Sequence, residues 1–520
     1  MNVDTIQILV AMVIYMAVVI AIGLIYAKKA NENSENYFLG GRSLGPWVTA
    51  MSAEASDMSG WLLMGLPGVA YWCGVADAAW TAIGLAIGTY LNWLIVSKRL
   101  RRYSVRANNS ITLPEFFSNR FREDKKVIMT LSAVFILVFF TVYAASCFVT
   151  CGKLFSTLFG MPYVTMMIMG AIFVLVYTVL GGFLAESASD FMQGIVMIVA
   201  LAVIVTISTV QAGGIGAVIE NGKDIPGFLE FFGMATPQLN ADGTQMVEAG
   251  KPLFGAASEY GLLKICSMLA WGLGYFGVPQ VLLRFMAIRK EEELKTSRRI
   301  AMVWVVISLT VAVFIGIIGR HLEPTTHLTA SDAESIFITL ATSSLPALLA
   351  GFVMAGILAA TISSSDSYLL IAASAVAKNI YQGVIKKDAT DKQVMTVSRI
   401  TLLAIAVIAA VIAMDENSVI FQVVSFAWAG FGATFGPLVL FSLFWKRTNR
   451  PGAIAGMVSG AVMVFIWKLG ISKLGGVFAI YELLPAFIIS SLAIVVVSLL
   501  TAPPSKEIEE DFEAVKANQI

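Results

Sequence analysis

Apolar segments long enough to cross a lipid bilayer dominate the chain, and no other feature constrains its fold as strongly. A helix needs about 20 apolar residues to span the hydrocarbon core, because its backbone must satisfy its own hydrogen bonds there. Thirteen such segments alternate with polar breaks, at residues 5–27, 47–73, 78–96, 127–158, 163–183, 189–210, 260–283, 300–319, 345–373, 394–413, 419–445, 453–467 and 483–500. The sequence therefore predicts an all-α integral membrane protein with 13 transmembrane helices.

Composition excludes several other classes of protein. Only 13% of the 520 residues are charged, about half of the roughly 25% found in soluble chains. A net charge of +1 with two His residues lacks the concentrated basic face that nucleic-acid binding requires. The four Cys residues lie in apolar segments, which favours packing over disulfide bonds. We expect one transmembrane transporter domain over residues 1–502 and a cytoplasmic tail over 503–520.

The basic residues predict how the chain is oriented. If the N-terminus is outside, 28 of the 35 Lys and Arg residues fall in loops on the cytoplasmic side, including the loops at 98–126 and 284–299. This asymmetry is the positive-inside pattern, so the prediction is N-outside and C-inside. The longest polar stretch, 211–259, then lies outside, either as an ordered cover over an entrance or as a plain loop.

The second segment contains charged groups where a membrane helix should have none. Glu54 and Asp57 lie among three serines and a glycine in the run SAEASDMSGW at 52–61, ahead of Pro67. A charged group at mid-membrane depth costs at least about 2.5–3.5 kcal/mol, so it is a functional candidate. Serine, aspartate, glycine and proline all weaken helical order. We therefore expect this helix to unwind at mid-membrane, where its free carbonyl groups face a cavity.

The seventh segment contains a similar interruption. Three glycines and a proline occur in the run WGLGYFGVP at 271–279. Either run taken alone also fits close packing of helices through small residues. Interrupted segments at corresponding positions of two halves, however, are typical of inverted-repeat transporters with a midplane binding site. We predict a 5+5 inverted repeat, with spans 2–6 as repeat 1 (about 44–210), spans 7–11 as repeat 2 (about 259–446), and spans 1, 12 and 13 peripheral.

The ninth segment offers oxygen ligands. The hydroxyls of Ser363 and Ser364 lie over the same helical turn as the carbonyl of Ala360. Carbonyls of Ala55 and Met58 from the unwound second segment would complete a five-oxygen cage suited to a small hard cation. Alternatively, the serines hydrogen-bond to their own helix.

Four stretches resemble the sodium/solute symporter family, specifically its sodium/proline symporter branch. They are residues 52–68, GGFLA at 181–185 followed by Asp190, 271–286, and WAGFGA at 428–433. The resemblance extends over nearly the whole chain and is most specific at SDMSGWLLMGLPG, residues 56–68. It implies a thirteen-helix form of the leucine-transporter fold.

The resemblance also implies a set of site residues. It places Na⁺ on Ala55, Met58, Ala360, Ser363 and Ser364, with Asp57 supporting the ion. It gives gating or coupling roles to Arg42, which would pair with an acid in one gate state, and to Asp190. It assigns substrate contacts to Ser56, Ser59, Gly60, Tyr143, Trp271, Tyr275 and Pro279.

Four positions depart from the branch pattern. Glu54 stands where glycine is usual, Ser364 replaces threonine, Val278 replaces glutamine, and Asp366 replaces a hydroxyl residue. The carboxyl of Glu54 would add proton coupling, shift cation affinity or cap the broken helix, so we include it among the coupling candidates. Because Val278 and Asp366 depart from the branch pattern, the sequence leaves open whether proline is the only substrate.

The resulting expectation is sodium-coupled secondary active uptake of L-proline by alternating access, at the cytoplasmic membrane of a bacterium. The alternative is sodium symport of another amino acid or a small carboxylate. A membrane enzyme would need a catalytic cluster, which the sparse pair His321 and His327 does not supply. A channel would need a continuous polar pore, and the polar groups here are dispersed on interrupted helices.

Overall fold

The computed structural model describes residues 3–30 and 32–518, which form an all-helical bundle with two minimal β-ladders. Residues 1, 2 and 31 of the predicted domain and residues 519 and 520 of the predicted tail lie outside the described residues. The helices are α1 (Val3–Ala30), α2 (Ser34–Leu39), α3 (Pro46–Asp57), α4 (Leu66–Cys73), α5 (Val75–Leu91), α6 (Ser97–Arg106), α7 (Leu113–Arg120), α8 (Val127–Phe159), α9 (Tyr163–Gln211), α10 (Ile215–Lys223), α11 (Leu262–Leu269), α12 (Pro279–Ala287), α13 (Leu294–Leu322), α14 (Ala330–Ala333), α15 (Ile336–Ser344), α16 (Ala347–Ser374), α17 (Asp391–Ile412), α18 (Ile420–Phe444), α19 (Arg450–Leu469), α20 (Leu483–Leu500) and α21 (Lys506–Lys516).

Every predicted apolar segment coincides with helical structure. Among the described residues, ten helices are long and apolar enough to cross a membrane, and the bent pair Leu262–Phe276 and Pro279–Ala287 makes eleven. Two shorter apolar helices, Trp61–Cys73 and Tyr163–Val179, lie at the other two predicted segments. The prediction of an all-helical, multi-pass membrane protein is therefore confirmed at this level.

The two predicted interruptions are both present. Helix α3 ends at Asp57, and a π-helical segment, Trp61–Gly65, leads into α4 after a non-helical link at Met58 and Ser59. Helix α11 continues as a 3₁₀ segment, Ala270–Phe276, before the chain bends by 41° into α12. Pro279 begins α12, where its missing N–H leaves no hydrogen bond unmade.

The predicted fifth and sixth segments are joined by a kink within one helix and not by a polar loop. They join within α9 at Gly182, whose φ of 60° and ψ of −179° interrupt the helical geometry. A side chain at this position would lie 2.8 Å from the ring of Tyr37. Glycine therefore permits both the left-handed φ and the close packing of α2 on α9.

The ends of the bundle differ in character. The basic end holds α6, α7 and the tail helix α21, where Arg106 and Arg122 pair with Asp511. The loop end holds residues 212–261, which are ordered rather than a plain loop. They contain α10 and two antiparallel ladders, in which β1 (Gly233–Met234) pairs with β4 (Ser258–Glu259) and β2 (Val247–Glu248) pairs with β3 (Lys251–Pro252).

Helix α16 lies at the centre of the bundle. It is buried over most of its length and packs against α1, α3, α8 and α9. Broken helix α3 also packs against α9, α12 and α13. The end of α3 is thereby held beside the middle of α16.

Candidate cation and substrate site

Oxygen atoms from α3 and α16 meet at one buried point. The Ser363 hydroxyl lies 2.8 Å from the Ala55 carbonyl oxygen and 3.3 Å from that of Ala360. The Ser364 hydroxyl lies 3.3 Å from the same Ala55 oxygen. All four residues are fully buried. Four of the five predicted cation ligands are therefore together; both serines bond across to α3, and Ser363 also bonds to its own helix.

The side chains of two predicted site residues point elsewhere, although the prediction for Met58 concerns its backbone carbonyl. Met58 follows α3 with non-helical φ and ψ of −86° and 79°, and its sulfur accepts hydrogen bonds from Trp304 Nε1 at 3.1 Å and from Ser308 Oγ at 3.5 Å. That side chain faces α13. The Ser56 hydroxyl donates to the carbonyl of Ala53 at 3.1 Å, within its own helix.

Asp57 connects the two interrupted helices. Its Oδ2 accepts a hydrogen bond of 2.6 Å from the Tyr275 hydroxyl, and its backbone carbonyl accepts one of 3.3 Å from Trp61 Nε1. The ring of Tyr275 packs edge-on against Trp428, with centroids 5.0 Å apart. Asp57, at the first interruption, is therefore hydrogen-bonded directly to Tyr275, a substrate candidate at the second interruption.

Several polar groups near Asp57 lack partners. Asp57 Oδ1 and the hydroxyls of Ser59, Tyr143 and Tyr368 are buried and make no hydrogen bond within the part of the chain that the structure describes. The rings of Tyr143 and Tyr368 stack at 4.2 Å, and looser polar contacts link Tyr143 to Ser59 and Asp57 to Gln280. An unsatisfied buried polar group costs about 1–3 kcal/mol. Such a cluster is typical of a site completed by a polar ligand.

An aromatic wall separates this cluster from the loop end. Trp271 stacks on Tyr481 and lies against Phe421, each with centroids 5.0 Å apart, and its carbonyl accepts a 2.8 Å hydrogen bond from Trp428 Nε1. Beyond it lies a vestibule of about 500 Å³. Its lining includes Trp72, Asp77, Trp271, Phe421, Lys468 and Tyr481.

The remaining substrate candidates shape the backbone. A Cβ on Gly60 would lie 2.4 Å from the Thr150 hydroxyl, so only glycine lets the broken helix approach α8 this closely. Pro279 is buried at the first turn of α12. Neither residue offers a side-chain hydrogen bond.

Glu54 lies one turn before Asp57 on the same buried helix. Its Oε1 accepts a 3.2 Å hydrogen bond from Trp93 Nε1. Its Oε2 is buried without a hydrogen bond to any described residue. It is therefore bonded to a side chain beyond α5 and does not cap the end of α3.

Asp190 belongs to a buried cluster that the sequence analysis identified only in part. Its Oδ2 accepts from the Ser52 hydroxyl at 2.7 Å and pairs with Arg284 Nη2 at 3.2 Å. Arg284 also pairs with Glu186 and donates to the Ser367 hydroxyl at 2.9 Å, and Ser367 donates to Glu186. We call these five residues the Arg284 cluster.

The sequence pattern predicts that Arg284 lies in a basic loop, and this prediction is wrong. Its side chain is 0% exposed in α12. A single guanidinium at the end of an apolar run is indistinguishable by position from the basic loop that follows. The usable signal was Glu186, a second unexplained carboxyl four residues before Asp190.

Arg42 lies at the basic end and contacts no acid among the residues that the structure describes. It donates to the carbonyls of Met286 at 2.6 Å and Ser110 at 2.7 Å, and to the Asn109 side chain at 3.0 Å. Burial, reinforced by the nearby charge of Arg101, lowers the pKa of Arg42 to about 10. Arg42 therefore joins the end of α12 to the segment between α6 and α7.

Solved structures with the same arrangement are transporters. A Na⁺-coupled sialic acid symporter, solved in a substrate-bound outward-open state, matches with a TM-score of 0.76 over 96% of this chain and 99% of that one, at 18% identity. The nucleobase-cation-symport-1 family transporter Mhp1, in a closed conformation, matches with a TM-score of 0.51 over 93% and 99%, at 12% identity. The chain therefore shares the fold of these two proteins.

Sequence comparison identifies the family. The model of the sodium:solute symporter family matches residues 37–460. The high-affinity proline transporter PutP of Bacillus subtilis (strain 168) is 41% identical, with 94% of this chain and 97% of that protein covered. The osmoregulated proline transporter OpuE of the same organism is 40% identical, with 96% of each covered. A sodium/proline symporter of Staphylococcus aureus (strain USA300) is 39% identical, with 97% and 94% covered.

The chain belongs to the sodium:solute symporter family. It is therefore a multi-pass membrane transporter and not an enzyme, as the sequence analysis predicted.

Proposed function

We propose that this protein takes up L-proline together with Na⁺ across the bacterial cytoplasmic membrane by alternating access. The observation that carries the proposal is the contact of the Ala55 carbonyl with the Ser363 and Ser364 hydroxyls, directly beside the link between Asp57 and Tyr275. It is supported by the family assignment and by relatives that are named as proline transporters and sodium/proline symporters.

In this mechanism Na⁺ lies between α3 and α16. The carbonyls of Ala55, Met58 and Ala360 and the hydroxyls of Ser363 and Ser364 are its ligands, and the charge of Asp57 supports it. The serine hydroxyls now bond to the Ala55 oxygen. On cation binding they turn their lone pairs toward the ion, so the ion links the two helices.

The substrate lies beside Asp57, against the aromatic wall. Trp271, Tyr275 and Tyr143 enclose the pyrrolidine ring, since aromatic faces suit an apolar ring. The unpartnered groups of Asp57 and Ser59 are available to its ammonium. Backbone N–H groups at Gly60 and at the start of α12 face its carboxylate, because helix N-termini attract anions.

The sodium gradient provides enough energy for accumulation. One charge crossing about 100 mV supplies about 2.3 kcal/mol. A tenfold sodium gradient adds about 1.4 kcal/mol. Together they support roughly 500-fold accumulation of a neutral zwitterion.

The proposal includes a topology. Thirteen spans, with spans 2–6 and 7–11 as inverted repeats and spans 1, 12 and 13 peripheral, place the N-terminus outside and the basic end in the cytoplasm. Impermeant thiol labelling tests this in the Cys266→Ser protein, which keeps three buried cysteines and receives one added cysteine at a time. Ser505→Cys should react only in inside-out vesicles and Gly243→Cys only in right-side-out ones, and the reverse pattern overturns the orientation.

Uptake into proteoliposomes tests the function itself. We expect saturable [³H]proline uptake that needs an inward Na⁺ gradient and is not supported by K⁺ or by a proton gradient alone. Asp57→Asn should raise the Na⁺ concentration for half-maximal uptake by about tenfold or more, the effect of losing a charge-assisted contact of about 1.4 kcal/mol or greater. Unchanged Na⁺ activation contradicts the ion assignment.

The second candidate substrate is another amino acid or a small carboxylate. The departures at Val278 and Asp366 favour testing it. Competition of labelled proline by unlabelled amino acids and short carboxylates at equal concentration decides between them. A competitor stronger than proline itself replaces proline as the proposed substrate and leaves sodium symport intact.

A further inference from the structure

The Arg284 cluster joins the same helices that supply the candidate cation ligands. Arg284 on α12 bonds to Ser52 of α3 at 2.9 Å, to Asp190 and Glu186 of α9, and to Ser367 of α16. All five side chains are buried. One guanidinium thus fixes four helices relative to one another.

Covalent spacing couples this cluster to the cation site. Ser52 precedes Ala55 by one turn of α3, and Ser367 follows Ser363 by one turn of α16. The Ser367 hydroxyl oxygen also lies 3.1 Å from the Ser363 carbonyl oxygen. A cation that draws Ala55 toward Ser363 therefore also sets the separation of the two hydroxyls that Arg284 bridges.

The cluster in turn anchors the basic end. Three residues after Arg284, the Ala287 carbonyl accepts from the Leu44 N–H at 3.2 Å. The preceding carbonyl, of Met286, accepts from Arg42 at 2.6 Å. Displacement of Arg284 would move α12 and break both contacts, which join the end of α12 to the segment that precedes α3.

The buried charges of the Arg284 cluster are stabilised by the way these helices are held together. Two carboxylates face one guanidinium, and Asp366 adds a third carboxyl that interacts electrostatically with Glu186, Asp190 and Arg284. Glu186 Oε2 and Asp190 Oδ1 make no hydrogen bond to any described residue. The acids are therefore held chiefly through Arg284 and the two serines, so a small helix movement removes much of their stabilisation.

We propose that Glu186 and Arg284 are positioning residues that make closure of the basic end depend on Na⁺ at Ala55, Ser363 and Ser364. Na⁺ binding orders Ser52 and Ser367 around Arg284, Glu186 holds the guanidinium toward α9 and α16, and α12 stays docked. Release of Na⁺ loosens this arrangement. The inference rests on the proposed sodium symport and on the cytoplasmic placement of the basic end.

The experiment separates closure from general stability. A reporter, Ala287→Cys in the Cys266→Ser protein, puts a thiol at a fully buried position at the end of α12. In inside-out vesicles we expect Na⁺ without substrate to slow its reaction with an impermeant maleimide by about fivefold or more, the lower range of coupling between linked sites.

Glu186→Gln should abolish this sodium protection and raise the half-saturating Na⁺ concentration for uptake, while Glu186→Asp restores part of both. Arg102→Gln is the matched control. It breaks a 2.5 Å ion pair with Glu291 at the same end of the molecule, where both side chains are partly exposed. Sodium protection and Na⁺ activation should both stay as they are in the reference protein, which carries only the Ala287→Cys and Cys266→Ser substitutions.

Intact sodium protection with unchanged Na⁺ activation in Glu186→Gln overturns the proposal. If that variant fails to accumulate, Ser367→Ala decides, because it preserves every charge: lost protection supports the proposal and intact protection overturns it. A reference protein whose uptake ignores Na⁺ refutes the proposed function instead, whereas Na⁺-dependent uptake with intact protection in the variants refutes only this inference.

Discussion

Two buried ion-pair sites lie on opposite sides of the candidate binding region, and they are built differently. At the loop end, Lys153 Nζ pairs with Glu334 Oε2 at 2.8 Å. Glu334 also accepts the N–H groups of Ile420 and Phe421 at 2.8 and 2.9 Å, at the start of α18. One cation meets one anion, and the acid has further donors.

The Arg284 cluster instead has more acids than bases, and oxygens of both Glu186 and Asp190 lack hydrogen bonds to described residues. A balanced pair with spare donors tolerates the loss of one contact. An unbalanced cluster does not, so its geometry responds to a nearby ligand. We infer that the loop-end pair is mainly structural and that the Arg284 cluster is coupled to transport.

The largest expected effect follows from removing the guanidinium. Arg284→Gln leaves buried acids without their cation, and we expect it to lower the free energy of unfolding by about 3–5 kcal/mol. Thermal denaturation of the detergent-purified protein measures this, with Arg102→Gln as control. A midpoint no lower than that of Lys153→Met would contradict the distinction between the two sites.

The double substitution Ser363→Ala/Ser364→Ala tests whether the ion binds nearer to the Arg284 cluster than to the loop-end pair of Lys153 and Glu334. Loss of two hydroxyl ligands, each contributing about 1.4 kcal/mol, should raise the half-saturating Na⁺ concentration by about a hundredfold. The control is Ser365→Ala, since that hydroxyl donates to Thr361 within α16 at 2.6 Å. Equal effects of both variants on sodium activation would show that α16 is merely weakened.

Lys153→Met tests the loop-end pair. Glu334 keeps two backbone donors and faces the vestibule, so we expect destabilisation of only about 1.5 kcal/mol. Sodium activation of uptake should not change. A sodium shift as large as that of Glu186→Gln would mean that both ends sense the ion.

The smallest effect concerns the exposed pairs of the tail. Partial burial opposes ionisation of Asp511, but hydrogen bonds from Arg122 and Arg106 hold its pKa below the usual 3.8. Because the folded pKa is the lower one, this stabilisation is present above the ordinary value and is lost as the pH falls below it. Arg122→Gln should cost under about 1 kcal/mol, screened by salt. Hydrogen exchange of α21 at neutral and acidic pH measures both effects.

The sequence predicted much of the framework because membrane helices follow from length and hydropathy alone. The interruptions at Asp57 and Gly277 were predictable for a similar reason, since the residues that weaken a helix are local. The contact of Ala55 with Ser363 was also anticipated, through the turn that Ala360 shares with the serines.

Long-range partners were less accessible. Nothing local in the sequence indicates that Arg284 turns inward rather than joining the basic loop, or that Met58 directs its sulfur toward Trp304. The order within residues 212–261 likewise depends on contacts made elsewhere, such as the hydrogen bond from Val75 N to the Phe228 carbonyl at 2.8 Å. Such partners are fixed by packing, which one sequence does not reveal.

Tyr481 has a consequence for how the transporter is made. It stacks on Trp271 and donates to the Ser425 carbonyl at 2.6 Å, just ahead of α20. Because ribosomes release the chain from its N-terminus, Trp271 enters the membrane long before this neighbour exists. The vestibule thus acquires this part of its wall only when biosynthesis is almost finished, and a chain that ended before Tyr481 would lack it.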